Sequence, residues 1–111
     1  MKFGAFLRKM REKKKMRQED LAKAISVSTV YVCDIEKGRR NPPDLQKLKV
    51  WENLLTLSSR DRAIFYDLAG SDRKEIPPDI SDYLSAHPDA KDAIRRVMTG
   101  SCDYDWKSIR V

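Results

Sequence analysis

The side chains of this chain that could do chemistry are cationic and hydrogen-bonding rather than nucleophilic. Twelve of the 23 lysines and arginines lie within the first 40 positions, at Lys2, Arg8, Lys9, Arg11, Lys13, Lys14, Lys15, Arg17, Lys23, Lys37, Arg39 and Arg40, against five acids. The other 71 residues carry 11 basic and 12 acidic side chains, so the formal net charge of +6 belongs to the first third. That third can hold a polyanion by charge pairing, or it can be a solvated basic face that only aids solubility. Covalent and metal chemistry lack their parts. Cys33 and Cys102 form no C-x-x-C pair, and the one histidine, His87, has no cysteine or acidic partner at ligand spacing. No nucleophile sits beside a base and no glycine loop could cradle a phosphate, so neither catalysis, nor a metal, nor a cofactor is expected.

The elements that position these groups follow from apolar spacing. Phe3, Phe6, Leu7 and Met10 recur at helical intervals and predict a first helix over 2–14. Leu21, Ala22 and Ile25 share one face of a short second helix from Gln18, and Ser26-Val27 breaks the period. Ser28 is suited to cap a third helix that runs to Lys37, where Gly38 can close it in the left-handed conformation. Asn41-Pro42-Pro43 stops the helix, and Asp44 caps a fourth over 45–56 with Leu45, Leu48, Trp51 together with Val50, Leu54 and Leu55 as its stripe. Ser58 or Ser59 caps a fifth that carries Ile64, Phe65 and Leu68 and ends at Gly70. After the polar connection SDRKEIPP, shorter helices are predicted over 79–86 and 89–99, with a further turn around Trp106. Nothing alternates as a strand would, so the class is all-α.

With 111 residues, one domain and a tail are expected. The basic start MKFGAFLRKMREKKK leads into no apolar run, and no eighteen consecutive residues are apolar, so the expectation is a cytoplasmic chain with no membrane segment. A reducing compartment suits its two cysteines.

Two helices that cross steeply through a short turn need a small residue where their backbones meet and apolar wedges at fixed offsets. Counted from Gln18, the wedges are Leu21, Ala22, Ile25, Val27, Val32 and Ile35, with Ala22 as the small residue. The run QEDLAKAISVSTVYVCDIEKGRRNPPDLQKL resembles the helix-turn-helix family of lambdoid phage repressors and Cro-like regulators, over about residues 3–56. The resemblance implies a five-helix, lambda-repressor-like DNA-binding domain over 1–70, followed by a helical extension over 71–111. It also implies that the third helix enters the major groove.

On that helix Val32 and Ile35 point inward, which turns Ser28, Thr29, Val30, Cys33, Asp34 and Lys37 toward DNA. Thr29 can hydrogen-bond base edges and Val30 can meet a thymine methyl. The face lacks Arg, Gln and Asn, so phosphate contacts and shape readout are expected to carry much of the binding. Phosphate anchors are expected at Gln18, Lys37, Arg39 and Arg40, the last two having ordinary loop charge as the competing reading. Arg11 and Glu36 match family positions that pair with each other, and with Ala22 they are read as structural. Tyr31 offers either a hydroxyl to a phosphate or an edge to pack. Cys33 is a small groove-facing side chain or a redox-sensitive one, and no basic neighbour is known to favour the second.

The chain departs from the family twice. Ser26 stands where glycine usually takes positive φ, at a cost of about 1 kcal/mol. Arg17 stands where a capping Ser, Thr or Asn is usual. Beyond residue 60, FYDLAG…IPPDISDYL and Trp106 resemble an extension found on some bacterial regulators, which supplies either a dimer surface or the closure of one subunit's core. The expected function is a homodimeric, sequence-specific regulator that represses by occupying double-stranded DNA. The alternative is an antitoxin-like protein that neutralises a partner protein and regulates its own operon.

Overall fold

The computed structural model describes residues 1–99. Seven helices follow one another: α1 (Phe3–Lys13), α2 (Gln18–Ala24), α3 (Thr29–Glu36), α4 (Leu45–Leu55), α5 (Ser59–Asp72), α6 (Pro78–Ala86) and α7 (Pro88–Thr99). Among the described residues there is no strand, and the all-α class holds. The turn expected around Trp106, and Cys102, lie outside the described residues. No helix among the described residues is long and apolar enough to cross a membrane.

Polar side chains start the helices by accepting backbone N–H groups that have no partner in the first turn. Ser28 accepts from Tyr31 at 3.2 Å, Asp44 from Lys47 at 3.1 Å and Ser58 from Asp61 at 3.1 Å. Two starts are satisfied otherwise. Arg17 has no acceptor to offer α2, and Asp20 three residues on takes the Arg17 N–H at 2.9 Å instead. The first N–H of α1, that of Phe3, donates to Asp72 at the far end of α5, 3.1 Å away.

The ends of α1 to α5 share one device. A left-handed residue follows each, namely Lys15, Ser26, Gly38, Thr56 and Lys74, with φ between 46° and 76°. That residue and its successor return their N–H groups to carbonyls of the last turn, as Gly38 does to Ile35 (3.0 Å) and Arg39 to Asp34 (2.8 Å). Only Gly38 adopts this conformation without steric cost. Ser26 takes the positive φ expected of it, and each of the four side-chain-bearing residues gives up about 1 kcal/mol.

Phe3, Phe6, Leu7 and Met10 of α1 form one wall of the core, against Leu21, Val32, Ile35, Leu48, Leu55 and Phe65. Phe3 and Phe65 pack with ring centroids 5.2 Å apart. Trp51 is wholly buried, and its indole N–H donates to the Leu21 carbonyl at 3.0 Å, fastening α4 to α2. Val50, expected beside Trp51, is 41% exposed because the stripe of α4 passes through Leu48, Trp51 and Leu55. On α5 the buried face is Phe65, Tyr66 and Ala69, whereas Ile64 and Leu68 are only half-buried. Tyr66 can face inward because its hydroxyl donates to Glu52 at 2.6 Å; burial first, and that hydrogen bond second, push its pKa above the ordinary tyrosine value.

Helix α5 does not stop at Gly70. A Cβ there would meet the Pro77 backbone at 2.8 Å, so the missing side chain permits a close approach, and the helix runs on to Asp72. The segment after it is packed rather than free, with the Arg73 guanidinium donating to the Pro42 carbonyl. The first compact unit accordingly extends to Asp79 and a second begins at Ile80, within α6. In the second, Ile80, Tyr83, Ile94 and Met98 are exposed, and His87 stacks on Tyr83 with centroids 3.9 Å apart.

Candidate nucleic-acid interface

Helices α2 and α3 are joined through Ile25, Ser26, Val27 and Ser28. Ala22 is 2% exposed, and its carbonyl accepts the Val27 N–H at 3.0 Å, so the turn folds directly back on the small residue. Val32 and Ile35 are buried as the spacing required. Ser28, Thr29, Val30 and Lys37 are exposed, Val30 by 68%, and they form the outward first turn and last turn of the helix. Cys33 and Asp34 are half-buried, less prominent than the wheel suggested. Cys33 is a free thiol.

Behind α3 lies a polar knot. The Glu36 carboxylate, whose side chain is 2% exposed, accepts from Arg11 Nε at 2.7 Å and Arg11 Nη2 at 3.0 Å, and from the Gln18 amide at 3.0 Å. Arg11 also donates to the Met16 carbonyl at 2.9 Å, so one guanidinium binds α1, the α1–α2 turn and α3 together. The hydrogen bond to Glu36 raises the Arg11 pKa further above its ordinary value, against the lowering effect of burial. Charge-assisted, bidentate pairs of this kind are strong and directional. The Arg11–Glu36 pairing expected from the sequence is present, and Gln18, expected at a phosphate, has its amide nitrogen turned onto Glu36.

A second contact joins α1 to the end of α3, one that apolar spacing does not reveal. Gly4 of α1 faces the last carbonyls of α3, where a Cβ would lie 2.1 Å from the Ile35 oxygen and 2.7 Å from that of Glu36. Its signal in the sequence was a glycine inside an otherwise good helical pattern. Past the helix end, Gly38 at φ 76° turns the chain so that Arg39 and Arg40 are exposed, and buried Pro42 and Pro43 anchor the segment that leads into α4. The Arg40 guanidinium lies over the Tyr31 ring, 4.7 Å from its centroid. Tyr31 itself is half-buried against the core, so its packing role holds.

Two crossed helices, the second with its first turn bare and a cationic loop behind it, define a helix-turn-helix module. The family model described as a helix-turn-helix domain matches residues 2–63, over half of the chain, and the chain belongs to that family, in its Cro/C1-like branch. A stretch of 41 residues is 42% identical to the ImmF control region 10 kDa protein of Bacillus phage phi105, covering 37% of this chain and 46% of that protein. The match thus spans about half the length of the relative. No solved structure matches the chain.

Proposed function

We propose that this protein is a transcription regulator that binds double-stranded DNA through α3, and that it represses as a homodimer. The observation that carries the reading is the exposed turn Ser28-Thr29-Val30, on a helix whose far end the Glu36 knot fastens to Arg11 and Gln18, and bordered by Lys37, Arg39 and Arg40. Thr29 and Val30 are the base-reading side chains, while Lys37, Arg39, Arg40 and the second amide N–H of Gln18 meet phosphates. A relative named for a phage control region supports a role at a promoter. Exposed Ile80, Tyr83, Ile94 and Met98 supply apolar surface for a second copy, which a dyadic site needs.

The test is titration of labelled duplex DNA at rising salt, followed by selection of sites from random duplexes. Affinity falls steeply with salt, and the Arg39→Ala, Arg40→Ala double variant has a slope shallower by about 1.8, the loss of two phosphate contacts. A palindromic selected site supports the dimer. A single unrepeated half-site, with a monomeric mass in solution, refutes it and leaves the apolar surface to a partner protein, as in the antitoxin-like alternative.

A further inference from the structure

The loop that carries Arg39 and Arg40 holds its two arginines differently. Arg39 is tied through its backbone, whose N–H closes α3 on Asp34 at 2.8 Å, and its side chain is exposed. Arg40 is tied through its side chain, whose guanidinium sits 4.7 Å from the Tyr31 ring centroid. Tyr31 is a firm platform. It lies in the first turn of α3, its N–H is held by Ser28 at 3.2 Å, and its ring is half-buried against the core. No carboxylate pairs with Arg40 among the described residues. A cation held by a ring keeps all five N–H donors and an uncompensated charge, whereas a carboxylate partner offsets that charge and can occupy two of the donors.

We propose that Tyr31 is a positioning residue of the DNA interface, its ring holding Arg40 so that the guanidinium is already placed for a backbone phosphate before DNA arrives. The inference rests on the DNA-binding reading above and adds to it. Long basic side chains lose rotamer freedom when they bind, and a ring that has already restricted Arg40 removes part of that loss. The hydroxyl of Tyr31 plays no part, so phenylalanine serves equally well.

The experiment measures affinity for a fluorescent duplex of mixed sequence, across a salt series, for the parent, Tyr31→Phe, Tyr31→Leu, Arg40→Met and the Tyr31→Leu, Arg40→Met double variant. Tyr31→Leu is expected to weaken binding by about two- to fivefold, the scale of an exposed cation–π contact. Arg40→Met weakens it at least as much and makes the salt slope shallower by about 0.9. The double variant is no weaker than Arg40→Met, and Tyr31→Phe binds like the parent. Multiplying effects in the double variant, or parental affinity in Tyr31→Leu, overturn the proposal. A Tyr31→Phe variant as weak as Tyr31→Leu overturns it too, in favour of a phosphate contact by the hydroxyl. Proton NMR of the unmutated protein needs no variant to fold: the Arg40 side-chain protons must be shifted upfield by the ring, and ordinary shifts refute the contact. If the parent binds no duplex at low salt, the DNA-binding reading fails, while the ring-current shift still reports separately on the Tyr31–Arg40 contact.

Discussion

Replacing Gly4 with alanine should destabilise this protein, although helix propensity alone argues the reverse. Alanine is favoured over glycine in a helix by about 1 kcal/mol at most, and Gly4 is in the first turn of α1, where the gain is smaller. Against this stands a new Cβ only 2.1 Å from the Ile35 carbonyl oxygen and 2.7 Å from that of Glu36. Comfortable separation of such atoms is about 3.5 Å, so α1 and the end of α3 must part by about 1.4 Å. Both obstacles are backbone atoms and cannot swing aside. The Ile35 oxygen is moreover the acceptor of the Gly38 N–H, so the displacement strains the helix end that carries Arg39 and Arg40. Overpacking of this kind costs about 1–3 kcal/mol, which leaves a net loss of roughly 1–2 kcal/mol. For a domain of this size that lowers Tm by about 5–15 °C. The assay is thermal melting followed by circular dichroism, with exposed Ala5→Gly as the control, expected to lose no more than about 1 kcal/mol. A Gly4→Ala variant that melts at or above the parent's temperature refutes the close approach of α1 to α3.

Three further outcomes are expected. Glu36→Ala leaves the Arg11 guanidinium, 12% exposed, without its carboxylate and should cost about 3–5 kcal/mol in urea titration; a loss below 1 kcal/mol shows the knot to be dispensable. Thr56→Gly relieves a β-branched residue at φ 46° and should raise stability by about 1 kcal/mol, with Ser26→Gly giving a similar gain; unchanged midpoints count against the left-handed helix ends. Changing Thr29 and Val30 together should alter the site selected from random duplexes more than the affinity for mixed-sequence DNA, and an identical selected site removes them from base readout.

Much of the positioning framework was legible in the chain itself. The periodicity of Phe3, Phe6, Leu7 and Met10, the caps Ser28, Asp44 and Ser58, and the stop at Gly38 are local signals, each set by a residue's own backbone preference or by neighbours within one turn. The same holds for the inward Val32 and Ile35, whose spacing alone assigns them a face. The Arg11–Glu36 pair was reached through resemblance, since nothing local links positions 25 residues apart.

What only the tertiary structure decided are the contacts between elements distant in sequence. Asp72 supplies α1 with the partner that Lys2 does not, Gly4 admits α1 to the carbonyls of α3, and Gly70 meets Pro77 instead of ending a helix. Gln18 turns its amide onto Glu36, and Arg40 lies over Tyr31. Apolar periodicity and capping choose helices and faces because those preferences are local. The crossing of one helix on another decides which glycine is a gap, which arginine is held and which tyrosine can be buried, because each depends on atoms that only the assembled fold brings within a few ångströms.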